Sequence, residues 1–457
     1  MPAWAQAALV GALASAAWLV HRPGVFATDS LTSWYEGHVG AFTSNQQPLL
    51  GVLWALFDRI GSGASSLILL SCLLFTVATY LILRRFAQPV AALATTAVVL
   101  ILPPIFSQLT IINKETIGGN ALLLGVALLM HQQRDRRWLL AAVGAIAAFA
   151  VLIRYQFAVA IAVVFVIACV QDAWRAPGRR LRAFAGTAFG LGVPLLAAAA
   201  LVTVAIGTTN RVDWSGPFDT SRRWMLEFEL AALLASRSNA ALDVLAESGA
   251  DVDAIRAYAV SRYTPDSNVP LFPMDKLFAP VATPELARQV AVLSEAQPGR
   301  ILEHRLRAFA ALLGLRDVCW PIQKRIITPA PDSAEGEFAA TVGLARLQPA
   351  LATTLYQSRY FPANTFLFRP IVYLAIALFC TAVTLVSRRL RSGQELLLLS
   401  ASGPVYALSF VLMAPSCDFR YSYWPVITAT ISAAALALAL LRSRGRAGSL
   451  GLTRRRP

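Results

Sequence analysis

Hydrophobic positions in this chain come in long unbroken runs, not in the short alternations of half-buried strands. A helix needs about 20 apolar residues to cross a bilayer core. Runs of that order lie near 4–20, 65–83, 90–112, 116–131, 139–153, 156–170, 183–206, 367–387, 394–413 and 425–441. The pair over 139–170 is short for two full crossings and predicts a tilted or re-entrant hairpin. Pro103-Pro104 predicts a kink inside the third run. Two long segments lie between runs, 21–64 and 207–366. The second is long enough for a domain, and its punctuation is helical. Asp219, Ser238, Asp251 and Thr283 each precede an apolar-periodic stretch, and Thr283-Pro284-Glu285 offers a cap, an early Pro and an early acid. After Pro298-Gly299 comes the amphipathic stretch RILEHRLRAFAALLGL. Strand alternation is scarce. The pattern predicts an all-α polytopic membrane protein of about ten transmembrane helices with a helical extracytoplasmic domain. Its parts are an N-terminal transmembrane module (1–206) with a first outer loop (21–64), the helical domain (207–366), and C-terminal transmembrane helices with a basic tail (367–457).

Composition narrows this further. Hydrophobic residues are 57% and charged residues 14% of 457, with mean hydropathy +0.58. A soluble globule would lack polar surface at these values, and disordered and fibrous classes are excluded as well. The net charge of +15 comes almost wholly from Arg, because Lys occurs only at Lys114, Lys276 and Lys324. The Arg clusters are Arg84–Arg85, Arg134/Arg136/Arg137, Arg175/Arg179/Arg180/Arg182, Arg388/Arg389/Arg391 and Arg442 onward. If every run crosses, all of them fall on one side, which the positive-inside bias makes cytoplasmic. Both termini are then cytoplasmic, and the tail contacts membrane lipids, with no folded reader of nucleic acid beside it. Ala14-Ser15-Ala16 resembles a signal-cleavage site, but no Lys or Arg precedes the run, so a retained span is favoured. No Cys/His spacing suggests zinc. Cys319 and Cys417 fall outside, where a disulfide is allowed; Cys72, Cys169 and Cys380 pack. His38 reads as a solvated loop residue.

Ionisable groups near the bilayer need a reason. In the first outer loop, Asp29 and Glu36 are seven residues apart, two turns on one face if the stretch is helical. Trp34, Tyr35 and Trp54 suit interfacial anchors. A carboxylate shielded here is expected to have a raised pKa and to act as a base; the alternative is a solvated loop acid. Lys114-Glu115, in a later outer turn, reads as an interfacial ion pair or as part of a site. Arg154-Tyr155 lies between two short apolar runs with no acid nearby in sequence, so Arg154 requires a partner in space: a carboxylate, a carbonyl or a phosphate. In the last outer loop, APSCDFRYSYWP, Arg420 beside Tyr421 suits a phosphate clamp or an internal pair with Asp418.

These features together resemble the GT-C superfamily of bacterial integral-membrane glycosyltransferases, which use polyprenyl-phosphate sugars. The features are the early outer-loop Asp, the outer Lys-acid pair, the Arg in a short hairpin, the late RY before a final span, and GRILEHRLRAFAALLG. The resemblance implies Asp29 as catalytic base and Lys114, Arg154 or Arg420 as holders of the donor phosphate; Glu115, Tyr155 and Tyr421, their neighbours in sequence, complete the expected substrate-binding set. It places the protein in the cytoplasmic (inner) membrane with its site facing outward. Related loops often carry His-Pro where this one has Gln46-Gln47-Pro48, and the adjacent acidic pair of several families is replaced by the wider Asp29/Glu36 spacing.

The function expected is inverting transfer of a sugar from a polyprenyl-phosphate donor to a glycan, lipid or protein acceptor, with Asp29 as general base. Glu36 or Glu115 is the second choice of base, or a metal ligand if the reaction uses a divalent cation, the one cofactor left open. Two rival readings are a transporter or flippase of a lipid-linked or anionic solute, and a non-catalytic partner in envelope-glycan assembly. Paired repeats, which transporters often carry, are not evident.

Overall fold

The apolar runs fold as helices because a backbone in lipid must satisfy its hydrogen bonds internally. The computed structural model describes residues 1–42, 47–61, 63–131, 137–212, 219–236, 241–266, 277–278, 280–316, 333–344, 351, 365–386, 393–413 and 417–453. Ser238, Cys319, Arg134, Arg136, Arg388, Arg389 and Arg391 fall outside them.

The N-terminal helices are α1 (Ala3–His21), α2 (Thr28–Val39), α3 (Pro48–Arg59), α4 (Gly63–Phe86), α5 (Pro89–Ile101), α6 (Pro103–Thr110), α7 (Lys114–Met130), α8 (Arg137–Ile153), α9 (Phe157–Arg175) and α10 (Arg180–Thr209). Four two-residue strands interleave with them: β1 (Val25–Phe26), β2 (Ala41–Phe42), β3 (Ile111–Ile112) and β4 (Arg211–Val212). The segment beyond β4 contributes α11 (Asp219–Ser236), α12 (Asp243–Glu247), α13 (Val252–Arg262), α14 (Thr283–Ala296), α15 (Pro298–Leu312) and α16 (Ala334–Thr341). The C-terminal helices are α17 (Pro370–Val386), α18 (Gly393–Ser400), α19 (Ser402–Met413) and α20 (Tyr423–Thr453).

The protein is a polytopic helical membrane protein. Among the described residues, six helices are long and apolar enough to cross a membrane by length and composition. The pair α5 and α6, bent by 70° at the Pro103-Pro104 step, makes a seventh if it is one span. The kink follows from its sequence, since Pro has no N–H for the helical ladder and disfavours helical geometry in the residue before it. Three further apolar helices in the expected places, α7, α8 and α17, have 17 residues each. That is about 26 Å of rise, at the short end for a crossing. The expected hairpin over 139–170 takes a different form. Helices α8 and α9 meet at a tight turn through Arg154, but α8 packs chiefly on α7 and α10, so the turn is a corner of the bundle.

Two short parallel ladders fix the first loop to the bundle. Strand β1 pairs with β3 (Val25 with Ile111, Phe26 with Ile112), and β2 pairs with β4. The sequence reading found strand alternation scarce, and these strands are too short to show any. A second core, centred on Phe228, Leu233, Ile255, Phe278, Leu286 and Leu293, lies within α11 to α15 and is separate from the bundle core. Asp251 caps α13, accepting from the Ala254 N–H at 2.9 Å. Thr283 is the first helical residue of α14 and not its cap; Glu285 instead accepts the Ala282 N–H at 3.1 Å.

At one end of the bundle, Arg85 closing α4 and Arg175 closing α9 both reach Glu395, at 2.9 and 3.2 Å. These Arg clusters therefore share an end, as their spacing predicted. Helices α7 and α9 begin at the other end, and α8 finishes there.

Candidate active site

The polar site at that other end is assembled by local rules. Pairing of β1 with β3 brings the start of α2 beside the start of α7. The Ser30 hydroxyl reinforces this by donating to the Ile112 carbonyl. Asp29 falls in the first turn of α2, and Lys114-Glu115 in the first turn of α7, whose cap Asn113 accepts the Thr116 N–H at 2.6 Å. Arg154 occupies the break between α8 and α9. Arg420 lies in a single 3-10 turn, Phe419–Ser422, just before α20, and Asp418 caps that turn by accepting the Arg420 N–H at 3.0 Å. The turn is anchored from below. The Tyr423 hydroxyl donates to Asn120 Oδ1 at 2.6 Å, and the Asn120 amide donates to Ser71 Oγ at 2.9 Å. All three residues are buried.

These segments gather six ionisable side chains. Arg420 Nη1 lies 2.9 Å from Asp29 Oδ2, and Arg420 Nε lies 2.9 Å from Asp418 Oδ2. Arg154 Nη2 lies 3.2 Å from Glu115 Oε1. Lys114, 3% exposed, acts electrostatically on both Asp29 and Glu115. Tyr421 contacts both guanidinium groups, whose Cζ atoms are 5.3 Å (Arg154) and 5.2 Å (Arg420) from its ring centroid. Such cation–π contacts hold both groups in place. Asp29, Lys114, Glu115, Arg154, Arg420 and Tyr421, read from distant parts of the sequence, therefore share one site. Tyr155 is half-buried in the same turn as Arg154. Glu36 is buried two turns along α2 from Asp29, about 10 Å along the axis. It is not among the charges that chiefly act on Asp29.

Several expectations change. The Lys114-Glu115 dipeptide is not a self-contained interfacial pair, since Glu115 pairs with Arg154, the acid that Arg154 lacked in sequence. Arg420 does pair with Asp418, as one reading held, and with Asp29 as well. Trp34 and Trp54 are not interfacial anchors. They stack at 4.8 Å with an interplanar angle of 13°, and both are buried beside Phe26. Nor does Asp29 have a raised pKa. Burial pushes it up, but the charges of Arg420, Lys114 and Arg154 outweigh burial and hold the carboxyl well below its usual range. Asp418 goes the other way, because burial raises it against the pull of Arg420.

The cluster retains unused hydrogen-bonding capacity. Neither oxygen of Glu115 accepts a hydrogen bond, and Arg154 Nε and Arg420 Nε donate none among the described residues. Buried polar atoms of that kind are rare in folded proteins and point to a polar ligand or water at the site. Among the described residues no three His, Cys, Asp or Glu side chains gather to hold a metal ion, and Asp29, Glu115 and Asp418 each already face a cation.

A family model described as a domain of unknown function, DUF6311, matches residues 12–239. The matched stretch carries Asp29, Lys114, Glu115 and Arg154 and ends before Arg420. No curated protein matches the chain. Among solved structures, the crystal structure of ArnT from Cupriavidus metallidurans bound to undecaprenyl phosphate is 15% identical, over 95% of this chain and 78% of that one, with a TM-score of 0.34.

Asn120 and Ser71 escaped the sequence reading. Their signal was available: an Asn in the middle of an apolar run is a polar group at membrane depth, which needs a partner.

Proposed function

We propose that the chain is a membrane glycosyltransferase that moves a sugar from a polyprenyl-phosphate donor to an envelope glycan, lipid or protein acceptor. Its site faces the extracytoplasmic side of the bacterial inner membrane. The observation that carries this reading is the shared partner at the site: the Asp29 carboxylate and a guanidinium, Arg420, are in contact beside Arg154 and Lys114. A base and an anion clamp therefore meet at one point, at the end of the bundle away from Arg85 and Arg175. Orientation has independent support. Cys417, one residue before Asp418, is disulfide-bonded, whereas Cys72, Cys169 and Cys380 within the bundle are free. Disulfides persist on the oxidising side of a membrane.

In the reaction, Arg420, Arg154 and Lys114 hold the donor phosphate. An acceptor hydroxyl oxygen attacks the anomeric carbon from the face opposite the phosphate. The bond from that carbon to the phosphate oxygen breaks, and its electron pair leaves on the phosphate. The hydroxyl proton passes to Asp29, and the configuration inverts. The three cations stabilise the second negative charge that develops on the phosphate. A positioned base of this kind contributes about 10²- to 10⁴-fold in rate. Asp29→Asn should therefore lose that much transfer from a polyprenyl-phosphate sugar while the protein still elutes as a folded species. Near-normal transfer would refute the assignment.

A further inference from the structure

The same six charges imply a condition on how the base becomes active, given the reading above. The cluster is balanced, with Lys114, Arg154 and Arg420 against Asp29, Glu115 and Asp418. An incoming phosphodiester adds one negative charge to a site that has no net positive charge to offer. Arg420 Nη1 and Nε each lie 2.9 Å from a carboxylate oxygen, so a phosphate that engages this edge of the guanidinium displaces a carboxylate, and the geometry indicates which one. Asp418 sits two residues from Arg420 on the same turn and also accepts its backbone N–H, so it moves with the arginine. The Asp418 side chain is 14% exposed, and Glu115 is 2% exposed and committed to Arg154. Asp29 is the most accessible at 32%, belongs to a different element, and has Arg420 as the sole hydrogen-bond partner of its carboxylate among the described residues.

We infer that Asp29 and the donor phosphate are mutually exclusive partners of Arg420, so that donor binding releases Asp29 and converts it from a masked carboxylate into a working base. In the resting site the adjacent guanidinium is a poor setting for a proton acceptor. Loss of a neighbouring Arg returns about 1–3 pKa units to a carboxylate, which is about 10- to 10³-fold in proton affinity. The phosphate's own charge adds to this. Lys114 from α7, Arg154 from the α8–α9 turn, and Asp418 and Tyr421 from the turn before α20 are the other charged or titratable groups facing the pair, with Glu115 behind Arg154. The base is thus exposed only when there is a donor to use it on, and an empty site does not abstract protons.

The inference predicts tighter donor binding by Asp29→Asn, whereas a phosphate site remote from Asp29 would leave donor affinity unchanged. The measurement is equilibrium binding of a short-chain polyprenyl methyl phosphodiester, with no ionisation near neutrality, to the full-length protein in nanodiscs from pH 5 to 8. Wild type should bind more tightly toward the acid end of this range, where the displaced carboxylate, returned to its ordinary range of about 4 and raised further by the phosphate charge, begins to protonate. Asp29→Asn should bind about 10- to 10³-fold more tightly than wild type at pH 8, with a flat pH profile. Asp29→Ala should behave in the same way, which separates lost competition from any effect of the amide. Asp418→Asn should keep the pH dependence. Equal or weaker binding by both Asp29 variants overturns the exchange while leaving the polyprenyl-phosphate reading intact. No binding by wild type or either variant overturns both. Inorganic phosphate that binds as tightly as the lipid would overturn the assignment of the clamp to a lipid-linked anion.

Discussion

Electroneutrality of the cluster has a consequence for stability. Arg154 and Glu115 face each other at 3.2 Å with side-chain exposures of 11% and 2%. At an effective dielectric constant of about 20, two unit charges at that distance attract by about 5 kcal/mol. The desolvation of both offsets much of this, so the intact pair contributes little net stability. Removal of one partner is different, because it leaves the other buried without its counter-charge, at a cost of about 3–5 kcal/mol. Lys114 and Arg420 remain beside Glu115 and moderate its exposure to that penalty. Arg154→Met should therefore fall near the low end, about 3 kcal/mol, and the double variant Arg154→Met, Glu115→Leu, which keeps the charges balanced, should return to within about 1 kcal/mol of wild type. The assay is unfolding in detergent, followed by far-UV circular dichroism and tryptophan fluorescence on the same samples. The order expected is wild type and double variant together, with the single variant below both. A double variant less stable than Arg154→Met would refute the argument, since it would mean that packing and not charge balance governs the pair. Both variants should be inactive, which separates folding from function.

Other outcomes follow from single positions. Trp54→Ala empties a buried site between Trp34 and Phe26 and should cost about 3–5 kcal/mol in the same unfolding assay. Gly37→Ala would drive a methyl group into the Gly51 carbonyl oxygen where α2 crosses α3, so α2 must shift and carry Asp29 with it; transfer should fall although no charged residue is altered. His304, in α15, has its pKa pushed down to about 4 by burial, with Arg305 adding to the effect. Its imidazole is neutral when folded but protonates in the unfolded chain below its ordinary value near 6.5. Stability should accordingly decline as pH falls from about 6.5 to about 4, and His304→Phe should flatten that decline in melts across the window. The wild-type melt staying constant over that range would contradict it.

How far the sequence reached depends on the range of each interaction. The spans were legible because lipid imposes a length and a polarity on every crossing, and the Pro103-Pro104 bend because Pro acts locally. The tight Arg154 corner was visible as an interruption, but its packing on α10 was not, since that depends on which helices meet. Asp29, Lys114, Arg154 and Arg420 were each suspect alone, as charges near a bilayer. Their partners were not legible. Glu115 to Arg154 spans 39 positions, and Asp29 to Arg420 spans 391. The direction of the Asp29 shift was misjudged for the same reason: burial is suggested by neighbours in sequence, whereas the opposing charges come from three other elements. The Trp34–Trp54 stack was mistaken for an interfacial belt because an amphipathic aromatic suits either place until α2 and α3 are seen to pack.

The most direct test is an experimental structure of the full-length protein with a bound polyprenyl phosphodiester. The account predicts the phosphate within about 2.7–3.2 Å of the Arg420 guanidinium and beside Arg154, with the Asp29 carboxylate turned away from Arg420 toward the sugar. A lipid phosphate found elsewhere in the bundle, with Asp29 still bonded to Arg420, would contradict it.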